Sequence, residues 1–464
     1  MHAPIKPSIL KQISAITGAQ QVLTDPADCI AYSYDNSRLQ AMPDAVVFAS
    51  QQSQISAIMQ ICSEHKIPVT ARGAGTGTTG ASIPSQGGIV LSLERMNRII
   101  RVDADNRVMV VEPGVTNQAI QQAAAEQGFF WPPDPTSKAV CTIGGNLAYN
   151  SAGPRAVKYG TPRDNTLGLR AVTADGKEIR TGVYTTKGVV GYDLTRLLIG
   201  SEGTLAIITE ATLKLTPIPE NIVTLRVLYS DINSAAAAVA RIMAQPVTPC
   251  ALEFIDDQAI ELIRQYKDPG LPAGIGAMLM IEVDGAASAM SDACTSIRQA
   301  AGDQHQGMVE FYQANNDEER KQLWQVRSIL SPALRSIAPK KINEDIVVPV
   351  SRIPELISGL KQLSNQYQIP IVNFGHAGNG NIHVNLLIDP DDPQQLKNAE
   401  ACLDQVFSLT LKLDGTLSGE HGVGLVKRNF LDREIEPATL ALMRQIKQVF
   451  DPDNILNPGK MLPE

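Results

Sequence analysis

The chain has 464 residues, 44% hydrophobic and 19% charged, with a formal net charge of −8. That length exceeds what one ordinary core organises and calls for two domains or more, while the acidic balance and the lack of any basic tract exclude a general nucleic-acid binder. The opening MHAPIKPSILKQISAITG has no apolar stretch of signal-peptide length, and no later run nears the ~18 apolar residues of a membrane span, so a cytoplasmic protein without a transmembrane segment is expected.

Residues Pro7 to Ile16 set Ile9, Leu10, Ile13 and Ile16 on one helical face, with Gly18 as a stop. A strand at Ala45 to Ala49, a helix marked by Ile55, Ile58, Met59 and Cys62, and a strand at Ile67 to Ala71 form a predicted βαβ unit. It runs into RGAGTGTTG, Arg72 to Gly80, with four glycines in nine residues. Without Cβ atoms, successive N–H groups can turn inward and make a nest for a pyrophosphate. Gly75, Gly77 and Gly80 spell GxGxxG, but a Rossmann turn needs a helix next. Here Pro84, Gly87 and Gly88 break the chain before the apolar run Ile89 to Leu93, which excludes that reading.

A hairpin follows, Ile99 to Val102 and Val108 to Val111 about the polar DADN, then a helix Asn117 to Gln127. FFWPPDPTS, Phe129 to Ser137, has three prolines in nine residues and reads as an irregular, rigid strap. TIGGNLAYNSAG, Thr142 to Gly153, is a second Gly, Asn and Ser run able to approach a cofactor backbone-first. Leu167 to Arg180 reads strand, turn at Asp175-Gly176, strand, and Leu205 to Leu215 is a last β run before Pro217 and Pro219, where a domain boundary is expected. Beyond it come a strand from Val223, a helix Ala235 to Met243, a strand Ala251 to Phe254, a helix Gln258 to Tyr266 and a strand Ala277 to Val283. A helix with Trp324 and Arg327, a strand Ile346 to Val350, a helix Ile353 to Tyr367 and strands Ile371 to Phe374 and Ile382 to Ile388 complete a ferredoxin-like cap ending near Pro390. The remainder is mainly helical and stops at Asn457-Pro458-Gly459.

Three of the six histidines, His376, His383 and His421, fall within 46 residues that also hold Asn385 and Glu420. On a strand His383 and Asn385 share a face, and the Gly-Asn-Gly turn after His376 can fold it back beside them, a placement a metal could bridge. Adjacent Glu420 and His421 point different ways on an extended segment, which suits one ligand and one base. The six cysteines, at 29, 62, 141, 250, 294 and 402, include no CxxC, which excludes a local iron–sulfur or zinc-thiolate motif and implies reduced thiols.

The two glycine-rich segments, with GSEGTLAIITE at Gly200 to Glu210, resemble the FAD domain of vanillyl-alcohol oxidase-type flavoproteins. Over nearly the whole chain the sequence is similar to FAD-linked D-2-hydroxy acid dehydrogenases of the D-lactate and glycolate type. The resemblance implies an α+β fold: a two-part FAD-binding domain (PCMH type) over residues 1–219, a ferredoxin-like cap over 220–390, and a helical segment over 391–464 that returns to the FAD domain. It implies FAD contacts from Arg72, Gly73, Ala74, Gly75, Thr76, Gly77, Thr78 and Ser82 in the first loop, and from Pro133 and Asp134 in the strap. In the second segment it implies Thr142, Gly144, Gly145, Asn146, Ala148, Asn150 and Gly153, and beyond that Glu202, Gly203, Ile207 and Asn457. With no His or Cys between Arg72 and Gly80, and only Cys141 nearby, the FAD is expected to be held without a covalent bond.

GHAGNGNIHVN followed by SGEHG resembles the metal and catalytic motifs of the same dehydrogenases. The match implies that His376, His383 and Glu420 bind Zn²⁺ or Mn²⁺, that His421 is the base, and that hydride leaves the substrate α-carbon for flavin N5. Arg327 matches a substrate-carboxylate position, with Ser331, Lys341 and Asn385 as further substrate contacts. Where the D-2-hydroxyglutarate enzymes carry a lysine, the register puts Asn343, which favours D-lactate or glycolate over the diacid. The resemblance leaves the electron acceptor open among a quinone, an electron-transfer flavoprotein, a cytochrome and an iron–sulfur subunit, and leaves open both a homodimer and peripheral association with the inner face of a membrane. A metallohydrolase and a non-catalytic flavin subunit are the competing classes.

Overall fold

In a computed structural model, which describes residues 4–267 and 270–463, the chain divides into two units. The first is the chain up to Gly153, Gly160–Ile218 and everything from Glu420 on; the second is Pro154–Tyr159 with Pro219–Gly419. Among the described residues no helix is long and apolar enough to cross a membrane.

Among the described residues the first unit holds two larger sheets and a two-stranded one. In one, Val22–Leu23, Ala45–Phe48, Ile89–Ser92 and Val69–Arg72 lie in that order. Ala45–Phe48 and Val69–Arg72 both pair parallel with Ile89–Ser92, so the predicted βαβ strands are real but a third strand separates them. Both AVVF and IVLS are buried at every position, which is why they read as continuous apolar runs instead of alternating ones. Helix Gln52–His65 covers this sheet with Ile55, Ile58, Met59 and Cys62, and Ile9 and Ile13 of helix Pro7–Thr17 join the same core. The second sheet is antiparallel, in the order Ile99–Asp103, Val108–Val111, Ile207–Lys214, Thr166–Val172, Glu178–Gly182. The predicted strap is regular only at its start, where Phe129–Phe130 pairs with Thr216–Pro217. Trp131 beside it is fully buried and donates Nε1–H to the Asn165 carbonyl at 3.0 Å.

The second unit is one seven-stranded antiparallel sheet, in the order Met308–Gln313, Asn221–Tyr229, Ala277–Gly285, Ala251–Asp256, Ile371–Gly375, Asn381–Ile388, Lys340–Val347. Two of its elements had no clear sequence signal, the helix Met290–Ala301 and the edge strand Met308–Gln313. The strand expected at Ile346 begins at Lys340, because KKINED pairs residue for residue with Asn381–Ile388. The unit also runs past 390 to Gly419. Helix Pro393–Lys412, assigned by sequence to the terminal segment, packs on helix Ile353–Tyr367 and buries Ala399, Cys402, Val406 and Phe407.

Candidate active site

In the first unit the strand Val69–Arg72 delivers the glycine-rich loop, and no helix intervenes before Ile89, in keeping with the exclusion of a Rossmann turn. Gly75 and Gly80 take φ of 67° and 80°, conformations that favour glycine. The second segment is a short helix, Ile143–Tyr149, with Thr142 at its N-cap, and it lies against the loop. A Cβ on Gly73 would stand 2.2 Å from Thr142 Oγ1, and one on Gly77 would stand 2.3 Å from the Tyr149 hydroxyl. Gly144 approaches Pro113, and Gly153 approaches the Asp134 carbonyl, so the strap joins the same cluster. Asn117 ties these pieces together, since its Nδ2 donates to the Pro133 carbonyl at 2.9 Å and to Asn146 Oδ1 at 3.3 Å.

The other expected flavin contacts close around these. The Glu202 amide donates to the Ala148 carbonyl at 2.9 Å, and its buried carboxylate accepts the amides of Val423 at 2.6 Å and Gly424 at 2.8 Å. Burial pushes this carboxyl up to about 7 against those hydrogen bonds. Asn457 Nδ2 donates at 2.7 Å to both the Ala81 and Glu202 carbonyls. Ser82 Oγ bonds Asp35 at 3.2 Å, and Asn150, at φ 57°, ends the helix and accepts the Arg163 amide. Ile207 lies instead in the apolar core with Val172 and Ala174.

The residues fit a large polar cofactor. Arg72 Nη1, Thr78 Oγ1, Thr142 Oγ1 and Asn457 Oδ1 are shut from solvent and have no hydrogen-bond partner among the described residues. Orphaned polar atoms are rare in folded chains, and a cluster of them around a glycine-rich loop is what an absent ligand with many acceptors and donors leaves behind.

In the second unit His376 follows the strand Ile371–Gly375. A turn with Gly380 at φ 74° then leads into Asn381–Ile388, on which His383 lies opposite Phe374. The two imidazoles approach edge to face, with centroids 5.2 Å apart. Gly419 ends this unit with its amide bonded to Asp345, and Glu420 is the next residue. His376 and His383 are thus a pair of buried imidazoles able to offer ligand atoms to one divalent ion, and Glu420 is a further residue of a type that could hold it. Two imidazoles and a carboxylate suit Zn²⁺ or a similar divalent ion. Glu420 Oε2 also accepts the Gly153 amide at 2.9 Å. His421 follows, its carbonyl accepting from Thr79 Oγ1 at 3.2 Å.

Glu253, which sequence reasoning passed over, stands behind this cluster. It sits in the fully buried strand Ala251–Asp256, with Oε1 2.5 Å from His376 Nδ1 and Oε2 2.7 Å from Arg327 Nε. Burial would raise its carboxyl, but the neighbouring His376 and Arg327, with their hydrogen bonds, outweigh that and hold it down at about 2. An acidic residue inside the apolar run ALEFI was the available signal. Arg327 is itself mostly buried, its Cζ 4.6 Å from the Phe374 ring centre. Ser331 lies one turn further along the helix, with its side chain outside the described residues. Lys341 is half-buried on the strand opposite Leu387. Asn385 departs from expectation: it is fully buried, its amide N–H groups bond the Val372 and His383 carbonyls, and its Oδ1 accepts from Asn343 at 2.7 Å. It pins strands together and has no N–H left for a substrate.

Comparison with known proteins agrees with both halves. Residues 43–182 match the FAD binding domain family, and residues 218–461 match the family of FAD linked oxidases, C-terminal domain. The glycolate oxidase subunit GlcD of Bacillus subtilis is 39% identical over 98% of this chain and 97% of its own length. A D-lactate dehydrogenase of Archaeoglobus fulgidus is 37% identical over 94% and 96%. Among solved structures, 4-ethylphenol oxidase from Gulosibacter chungangensis superposes with a TM-score of 0.79 at 18% identity, covering 98% of this chain and 97% of that one. p-Cresol methylhydroxylase gives 0.78 at 19%, covering 98% and 96%. The chain belongs to the FAD linked oxidases and has the α+β fold of the vanillyl-alcohol oxidase, or p-cresol methylhydroxylase, type.

Proposed function

We propose that this chain oxidises a small D-2-hydroxy acid, D-lactate or glycolate, to the 2-oxo acid and passes the electrons to a separate acceptor in the cytoplasm or at the inner face of a membrane. The observation that carries the reading is the edge-to-face pair His376 and His383, with Glu253 and Arg327 beside His376, in a chain that also builds a flavin cradle. Relatives named for D-lactate and for glycolate support the substrate class. Bound FAD supplies a two-electron acceptor, and a bound Zn²⁺ or Mn²⁺ supplies a Lewis acid for oxygen ligands.

The residues divide the work. Arg72, Thr78, Thr142 and Asn457 hold the polar edge of FAD through the groups that have no partner among the described residues. His376, His383 and Glu420 hold the cation. Arg327 binds the substrate carboxylate with the N–H groups that its bond to Glu253 leaves over. His421 takes the hydroxyl proton on its imidazole. Anaerobic mixing of purified protein with D-lactate, L-lactate, glycolate and D-2-hydroxyglutarate tests this by loss of the oxidised flavin absorbance. D-lactate or glycolate is expected to bleach it; bleaching by L-lactate alone, or by none of the four, defeats the proposal. The word "subunit" in the name of the Bacillus relative favours a second reading, a flavin subunit of a larger complex. In that case the isolated chain bleaches with substrate but turns over only when further subunits are added.

A further inference from the structure

We propose that Glu253 is a positioning residue whose single carboxylate sets both the metal ligand His376 and the substrate anchor Arg327. The inference rests on the proposed function. Every position of the strand Ala251–Asp256 is buried, and the Glu253 side chain is 1% exposed. A carboxylate there is costly unless both oxygens are engaged. They are engaged by two different elements, 74 and 123 residues away in sequence. Neutralising a buried arginine would need one oxygen only; the second reaches an imidazole.

Each bond fixes something chemical. The Nδ1–H bond from His376 selects the tautomer whose lone pair lies on Nε2, the form a cation requires, and orients the ring. The Nε bond from Arg327, with Phe374 under the guanidinium at 4.6 Å, holds the plane of the fork so that its terminal N–H groups face a carboxylate in register. A chelating hydroxy acid has to meet the cation and the fork at once, and the span between the two oxygens of Glu253 sets the spacing between them. The cluster is specific, since the nearby Trp324 donates its Nε1–H to Glu282 and not to Glu253.

The test uses flavin-loaded protein and two titrations that need no turnover: Zn²⁺ against a competing chelator, and pyruvate followed by perturbation of the oxidised flavin spectrum. Glu253→Gln keeps the volume but turns one acceptor into a donor and removes the negative charge that both partners bond to, so both contacts weaken. It is expected to weaken Zn²⁺ by about 10- to 100-fold and pyruvate by about 10-fold, with flavin retained. Arg327→Lys is expected to weaken pyruvate and leave Zn²⁺ near the parental value. If Glu253→Gln keeps either constant at the parental level, even with a lowered Tm, Glu253 is only structural and the proposal is overturned. If that variant loses its flavin, the same titrations on Glu253→Asp decide, because a side chain one methylene shorter draws both oxygens away from their partners: loss of both affinities supports the proposal, and retention of either overturns it. A parental protein that binds neither Zn²⁺ nor Mn²⁺ refutes the metal reading itself, an outcome distinct from a parental protein that binds Zn²⁺ while Glu253→Gln binds it equally well.

Discussion

Gly73→Ala isolates the close approach between the two glycine-rich segments. Gly73 lacks the left-handed φ of Gly75 and Gly80, so an alanine there meets no backbone strain and the steric effect stands alone. Its Cβ would lie 2.2 Å from Thr142 Oγ1, more than ~1 Å inside ordinary contact, while Thr142 Cβ is 3.5 Å away and comfortable. Thr142 has to turn, removing from the cradle a buried hydroxyl that has no partner among the described residues. Overpacking of this kind costs about 1–3 kcal/mol, or about 5- to 150-fold in FAD affinity. Thr142→Ala alone loses one hydrogen bond, about 0.5–1.5 kcal/mol. Because it also removes the clashing oxygen, Gly73→Ala/Thr142→Ala is expected to bind FAD within about threefold of Thr142→Ala. Quenching of FAD fluorescence on titration with apoprotein gives all four constants. Parental affinity in Gly73→Ala, or a double variant no better than that single one, refutes the argument.

Acid precipitation should release intact, yellow FAD, since the loop Arg72 to Gly80 offers no attachment residue; colour remaining in the pellet contradicts this. His376→Ala and His383→Ala should each lose the metal while keeping flavin, measured by metal analysis beside the absorbance spectrum, because both histidines lie in the second unit and the cradle in the first. Glu420→Gln should lower metal occupancy, whereas His421→Ala should keep metal and slow flavin reduction by about 10² to 10⁴ in rapid mixing. A metal-free His421→Ala protein, or one reduced at the parental rate, would reverse the roles of ligand and base.

Much of this was legible in local sequence. The break at Pro84, Gly87 and Gly88 told the glycine loop from a Rossmann turn, and the histidines stood out because GNG forces a reversal between them. What escaped depends on tertiary context. No local pattern reveals that Ile89–Ser92 slips between two strands of a βαβ unit. Met308–Gln313 is an edge strand paired on one side only, with no position fully buried, so its alternation is weak. Met290–Ala301 buries mostly small side chains, Ala293, Cys294 and Ala301, which mark a face poorly. Glu253 looked like a stray charge because its partners come from 74 and 123 residues downstream. Asn385 was misread because a strand amide and a ligand amide look alike until their acceptors are known.

The return of the chain to its first unit has a bearing on biosynthesis. The amide of Val69 donates to the Ile455 carbonyl, Asn457 donates back to Val69, and the Asn457 side chain clasps the Ala81 carbonyl 376 positions away. Lys447 likewise donates to the Thr204 carbonyl. A nascent chain emerging from the ribosome therefore carries an incomplete cradle throughout synthesis of the inserted second unit, and loop closure of this length is slow. Nascent chains halted at Gly419 should be unable to retain FAD however long they wait, so cofactor capture is expected to follow synthesis of the returning segment, and the sheet edge at Val69–Arg72 lacks its Leu456 neighbour until then.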